Sequence, residues 1–264
     1  MLYQSKQYNE VGVSRCPQKR IDNCEFSGMK ILTDLHTHTN RSAHAYSTIY
    51  ENVTQAAKIG LELIAITDHA PAGGEGVSLN HFKYLPIFIP RVIEGVTVLR
   101  GVEVNILDET GALDIAERLL GKLDIVIAAC HESVFTPTGE QVLKTYIPVI
   151  NNPHIDIIGH LCRNDLTGLD EIIKLAIAQN KLIEINNLSF KSRKQWRIEN
   201  CKILMQKCLE YGAKIVVNSD AHFCTHVGDL TEIAVYLEAI GYPEDLIINR
   251  NKAALFEFLG KDFS

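Results

Sequence analysis

Nine side chains able to bind a divalent metal recur along this chain: His36, His38, His44, His69, Glu103, His131, His160, Asp220 and His222. Imidazole and carboxylate are the groups that hold catalytic zinc or manganese, and nine exceed the need of a single ion. The spacing is informative as well. His36 and His38 are two apart, so on an extended strand they face the same side and can grip one ion together. Asp220 and His222 repeat that spacing near the far end of the sequence. His44 lies six residues past His38 and needs a loop that folds back. A lone histidine is more often a hydrogen-bonded core or surface residue, and His81, His154 and His226 are read that way. Seven histidines reaching strand ends independently is far less expected.

The elements that must position these residues follow from hydrophobic patterning. Short β-branched runs at Ile31–Leu35, Leu63–Thr67, Val98–Val102, Ile125–Ala129, Ile155–Gly159, Leu182–Ile185 and Ile215–Asn218 read as strands. Continuous apolar runs such as DIVIAA and AKIVVN suit parallel strands buried on both faces. Helix patterns lie between them: one capped by Ser47 and running to Ile59, one over 169–181, one over Ile198–Tyr211 stopped by Gly212, and two over 226–240 and 243–259. The stretch from Gly73 to Gly95 reads as a loop followed by a helix. Alternation of this kind predicts a parallel sheet, and about seven βα units with short connections favour a barrel. Every strand but the sixth runs into one of the nine residues. In a βα barrel those C-terminal ends converge on one face, where active sites are built.

Composition bounds the rest. The 264 residues are 46% hydrophobic and 22% charged, as in a soluble globular protein with a sizeable core. No apolar run approaches the roughly 20 residues needed to span a bilayer. The N-terminus lacks the apolar stretch of a signal peptide, so the expected location is cytoplasmic. With 26 basic against 32 acidic residues the net charge is −6, which argues against a long nucleic-acid footprint. Seven cysteines without a CxxC pair read mostly as small buried apolar residues. Residues 1–28, including Cys16 and Cys24, are polar and aperiodic and are expected to form an N-terminal extension. Residues 29–264 then form one domain.

The runs DLHTHTNRSAHAYS, ITDHA and NSDAH resemble the polymerase and histidinol phosphatase (PHP) family. The blocks GVEVNI, AACHES, DIIGH and IEINN are most similar to its stand-alone, YcdX-type phosphatase branch. The resemblance covers about residues 30–260. It implies an α/β fold, a distorted (βα)7 TIM-like barrel, and a trinuclear centre of divalent ions, with zinc the usual metal and manganese the alternative. It further implies one ion held by His36, His38, Glu103 and Asp220. A second would take Glu103, His131 and His160, and a third His44, His69 and His222. Asp220, Glu103 and His222 would then surround a metal-activated water, whose lowered pKa supplies hydroxide near neutral pH.

The expected activity is hydrolysis of a small phosphomonoester. Histidinol phosphate is one alternative substrate, and a PHP-type 3′-5′ nuclease or nucleotide phosphoesterase is another. An amidohydrolase or a regulatory metal-binding module is a remoter reading. Asp34 and Asp68 are candidates to orient metal-bound histidines. Arg193 and Arg163, just after the sixth and fifth strands, are candidates to grip the phosphate, Arg193 ahead of Arg163. The segments GHLCRNDLTG and EINNLSFKSRKQWRIENC depart from the family's usual continuation, and both lie where substrate would be chosen.

Overall fold

A computed structural model describes residues 30–74, 76–261 and 263; the N-terminal extension expected over 1–28 lies outside them. Strands and helices alternate along the described chain: β1 Thr33–Asp34, α1 Ile49–Lys58, β2 Leu63–Ile66, α2 Leu79–Phe88, β3 Val92–Ile93, β4 Val96–Asn105 and α3 Glu117–Leu120. They continue with β5 Ile125–Ala129, α4 Glu140–Asn151, β6 Ile157–Ile158, α5 Leu169–Ala178, β7 Leu182–Asn186, α6 Asn187–Phe190, α7 Gln195–Tyr211, β8 Ile215–Asn218, α8 Thr231–Ala239 and α9 Lys252–Leu259. Seven strands are parallel in the order β1-β2-β4-β5-β6-β7-β8. The short β3 is antiparallel to the start of β4 and stands outside the series. The fold is the expected distorted seven-stranded α/β barrel.

The distortion is at the seam between β1 and β8, where no regular ladder forms. At one end a single parallel bridge joins Thr37 to Ala221. Further along, Asn218 Oδ1 accepts from Leu35 N at 3.0 Å. Below it the buried Asn249 side chain substitutes for strand pairing: its Nδ2 donates to Thr33 O at 3.0 Å and Val217 O, and its Oδ1 accepts from Val217 N at 2.9 Å. Backbone groups without a ladder partner are thus satisfied by amide side chains.

Period-2 alternation divides the barrel interior into levels. Leu63, Ala65, Leu99, Ile125, Ile127, Ile157, Leu182 and Val216 pack as one buried apolar cluster, joined by Leu255 of α9 and by Phe263. Two and four residues on from Leu99 come Gly101 and Glu103; two on from Leu182 comes Glu184. Gly101 cannot carry a side chain, because a Cβ there would lie 2.6 Å from the Ile125 carbonyl oxygen. The barrel is therefore apolar at its base and polar at the C-terminal ends of its strands.

Several boundaries differ from the sequence expectation for local reasons. Thr48, not Ser47, caps α1, in a reciprocal capping box with Glu51. The Ser47 hydroxyl instead accepts from Cys224 N at 2.8 Å. The helix expected over 243–259 is confined to Lys252–Leu259, capped by Asn251, because two short 3-10 turns precede it and place Asn249 in the seam. The pattern does not announce α4, which contains Pro148 and has no side-chain N-cap. Gly212 does end α7, with a left-handed φ of 65°. Cys130, Cys162, Cys201 and Cys208 are buried free thiols, as expected of small apolar residues.

Candidate metal centre

The chain leaving β1 and the chain leaving β8 zip together above the barrel. His38 N donates to Ala221 O at 2.9 Å, and Tyr46 N donates to His222 O at 2.9 Å. The second contact returns the loop after His38, so that His44 Nε2 faces His222 Nε2 at 2.9 Å. Asp68 secures that loop by accepting from Thr39 N, Thr39 Oγ1 and Ser42 Oγ at 2.7–2.8 Å. His69 is joined to Glu103 by a parallel bridge, and His131 and His160 follow β5 and β6. His160 and Asp220 have positive φ values of 23° and 56°. Non-glycine residues pay strain in that region, which persists only where the surroundings impose it.

All nine expected residues thus surround one space, and Glu103 is its hub. Its Oε1 lies 2.8 Å from His160 Nε2 and 3.2 Å from His131 Nε2. Its Oε2 lies 2.7 Å from His69 Nδ1, 3.3 Å from His36 Nε2 and 3.6 Å from His38 Nε2. Asp220 Oδ1 lies 3.1 Å from His38 Nε2 and 3.6 Å from His36 Nε2. Three groups of ligand atoms fall within 4.8 Å of one another: His36, His38 and Asp220; His69, Glu103 and His131; His38, His69 and His222. His38 and His69 each belong to two of these groups, His69 with its Nδ1 turned toward Glu103.

Hydrogen bonds from His38, His131 and His160 to the two carboxylates account for only part of this convergence. His36 Nε2, His38 Nδ1, His69 Nε2, His160 Nδ1 and Glu103 Oε2 are buried without an aligned hydrogen-bond partner. Each such atom costs about 1–3 kcal/mol if left unpaired. Imidazole nitrogens and carboxylate oxygens converging in this way fit bound zinc or manganese. The electrostatics agree. Burial pushes the Glu103 and Asp220 carboxyls up, but the His36 charge together with His131 and His69 (for Glu103) or Arg163 (for Asp220) holds both well below the usual range. Burial pulls His36 down, yet Glu184, Glu103 and Asp220 raise it well above an ordinary histidine. His160 is pushed down to about 4, by burial and then by the Arg163 charge.

A second layer of side chains orients these groups, and sequence reasoning missed most of it. Glu184 on β7 accepts from His36 Nδ1 at 2.7 Å and from His160 N at 2.7 Å. Asn105 Oδ1 accepts from His131 Nδ1 at 2.7 Å. The available signal was a carboxylate in a buried strand, LIEIN, on the one strand that ends in none of the nine. Asp34 and Asp68, expected as orienting carboxylates, do other work. Asp34 accepts from Ser219 N and Oγ and from Gly228 N, fixing the chain after β8. Asp68 holds the loop before His44 and pairs with His81 Nε2 at 3.2 Å.

The site opens into a cleft of about 460 Å³, lined by His44, His69, His131, Asp220 and His222, and elsewhere by Glu132, Ser133, Thr136, Arg163, Leu188 and Arg197 among others. Arg163 is therefore at the mouth, but its guanidinium is committed: Nη2 donates to Asp220 Oδ2 at 2.7 Å and Asn186 Oδ1 at 3.1 Å, and Nε to Ser189 Oγ at 2.6 Å. Arg193 is exposed and does not line the cleft. The turn of α6 and the start of α7 bring Arg197 there in its place.

A family model described as the PHP domain matches residues 34–233. A probable phosphatase of Thermoanaerobacter sp. strain X514 is 44% identical over 235 residues, covering 88% of this chain and 95% of the relative. Among solved structures, histidinol phosphate phosphatase from Lactococcus lactis, complexed with zinc, L-histidinol and phosphate, superposes with a TM-score of 0.56 at 19% identity, over 80% of this chain and 94% of that one. A chain of archaeal ribonuclease P with mature tRNA superposes with a TM-score of 0.58 at 12% identity, over 86% and 90%. At those identities the two structures share the fold, and a shared fold does not decide the reaction.

Proposed function

The chain belongs to the PHP domain family, and from that premise we propose that it is a metal-dependent phosphatase of small phosphomonoesters. The observation that carries this reading is the cluster of imidazole and carboxylate ligand atoms within 4.8 Å of one another, in which the buried His36 Nε2 and Glu103 Oε2 face each other at 3.3 Å without an aligned hydrogen-bond partner. His36, His38, Glu103 and Asp220 would hold one divalent ion, Glu103, His131 and His160 a second, and His44, His69 and His222 a third, with zinc the favoured metal and manganese the alternative. Such ions lower the pKa of water and neutralise charge on phosphoryl oxygens.

The protein's own groups do the positioning. Glu184 and Asn105 keep the Nδ1 protons of His36 and His131 pointed away from the cleft, leaving each Nε2 free to bind. Arg163 and Asn186 hold Asp220 Oδ2, so that Oδ1 faces His36 and His38. Asp220 and His222 line the cleft in which the reacting phosphorus would sit, and Glu103, buried behind them, would act through the ions it helps hold. Arg163 acts on the phosphoryl group at most through the edge of its guanidinium that Asp220 and Ser189 leave open.

Dialysis against chelator, then titration with zinc or manganese, tests the reading across a panel of phosphorylated metabolites that includes histidinol phosphate. Turnover should vanish and return with metal. Undiminished turnover by verified metal-free protein overturns it. Among the described residues no helix is long and apolar enough to cross a membrane, so the panel is presented in aqueous solution.

A further inference from the structure

The cleft is far larger than one phosphoryl group needs, and the part away from the histidines has a chemistry of its own. Arg197, in the first turn of α7, lines it and binds Glu132 through Nη2. Arg197 Nε is buried and has no hydrogen-bond partner. A guanidinium presents Nε and Nη as a fork matched to the two oxygens of a carboxylate or phosphate. Here Nη2 is shared with a side chain, and Nε is unpaired but covered, so a ligand engages both prongs once the side chain turns from Glu132.

Glu132 is a poor permanent partner for that fork. Its side chain is 62% exposed, and it is divided between Arg197 and Lys194, whose Nζ lies 3.1 Å from the same oxygen. Two cations share one carboxylate, so Lys194, just outside the cleft, can take over Glu132 when Arg197 releases it. The exposed hydroxyl-bearing residues Ser133 and Thr136 line the cleft beside it, and the half-exposed Leu188 offers apolar surface for linking carbons. Arg163 cannot supply such a cation, because Asp220 and Asn186 already hold it.

Resting on the phosphatase reading, we propose that the substrate carries a second anionic group besides the phosphoryl that is cleaved. Arg197 binds that group through its fork, and Glu132 is the carboxylate it displaces. Recognition by a planar fork extends to a carboxylate or a second phosphate, and two matched pairs separate them. 3-Phosphoglycerate and glycerol 3-phosphate differ at a carboxylate; fructose 1,6-bisphosphate and fructose 6-phosphate differ at a second phosphate.

The metal-loaded protein is assayed for kcat/KM with all four compounds and with p-nitrophenyl phosphate, and binding of each pair is measured by calorimetry. The anionic member of at least one pair should be preferred about 10-fold or more. Arg197→Met should bring that ratio toward one, and Glu132→Gln should lower KM for the anionic member by removing its competitor. Equal turnover and equal binding within both pairs overturns the proposal, as does a proportional loss on both members in Arg197→Met. Absence of turnover on every compound, with the binding preference present and abolished in Arg197→Met, supports the recognition site and rejects the phosphatase reading. Absence of both rejects the two together.

Discussion

His36 Nδ1 and Glu184 Oε1 meet at 2.7 Å inside the barrel, both side chains fully buried, although they are 148 residues apart in sequence. The carboxylate also accepts from His160 N and from Asn218 Nδ2, so its position is fixed from three strand ends at once. It holds the His36 ring so that Nε2 faces Glu103 and Asp220. Glu184→Gln keeps the shape and removes the charge. Metal affinity should drop about 10–100-fold, read by competition with a chromophoric chelator, while circular dichroism stays that of the parent. Unchanged affinity would reduce Glu184 to a packing residue.

Arg163 performs the corresponding task for Asp220. Its charge, after that of His36, keeps the Asp220 carboxyl ionised against the burial that opposes ionisation. Arg163→Met should lower kcat by about 10-fold or more and reduce metal occupancy measured by elemental analysis. Arg163→Lys should restore little, because a single ammonium cannot reach Asp220, Asn186 and Ser189 together. A variant with full metal content and a raised KM alone would instead place Arg163 on the substrate.

Asp124 ties the β4 and β5 strands together away from the cleft, accepting from Arg100 N and Nε and from Arg91 Nη1 at 2.6–2.7 Å. Burial pushes its carboxyl up, but Arg100 and Arg91 outweigh burial and hold it below its ordinary value. A folded pKa below the unfolded one, about 3.9, gives stability that is fully present above pH about 4 and is lost as pH falls through the depressed value. Asp124→Asn should cost about 1.5–3 kcal/mol at pH 7. The difference in stability between parent and variant, followed by denaturant titration, should shrink on acidification below pH about 4. A difference that is constant with pH would show that the ionised form is not what stabilises.

The nine residues were legible as a set because eight of them follow a rule of position, period 2 along a strand or convergence of strand ends in a parallel barrel, while His44 depends on a loop that folds back. Spacing alone pairs only His36 with His38; the grouping of Glu103 with His131 and His160 comes from the family resemblance. Asn105 and Glu184 share the strand registers of Glu103 and Leu182, but register does not reveal which histidine each meets, and Asn249 lies outside the strands. Their partners lie 26, 148 and 216 residues away, and nothing in local composition distinguishes an amide that orients a histidine from one on the surface. Arg193 and Arg197 show the same limit, since the choice between them depends on how α6 and the start of α7 turn. That turn follows Asn186 accepting from Ser189 N, a tertiary detail of the departing loop.

Asn249 is where closure of the barrel can be tested most directly. Its side chain occupies the gap between β1 and β8, pairing Val217 N, Val217 O and Thr33 O in place of a strand ladder. Its own carbonyl accepts from Thr33 Oγ1 at 2.8 Å. Asn249→Ala leaves the buried Val217 donor and two carbonyls unmatched, at about 1–3 kcal/mol for the donor and less for each carbonyl. Stability should fall by about 3 kcal/mol, against roughly 1 kcal/mol for Asn251→Ala, which removes only the α9 cap. Amide exchange should quicken first at Leu35 and Val217, on either side of the seam. His36 and His38 follow β1, and Asp220 and His222 follow β8, so a loosened seam should also weaken metal binding under conditions where the variant is folded. Wild-type exchange at those amides would mean that the Thr37–Ala221 bridge and the Leu35–Asn218 hydrogen bond close the barrel without the Asn249 side chain.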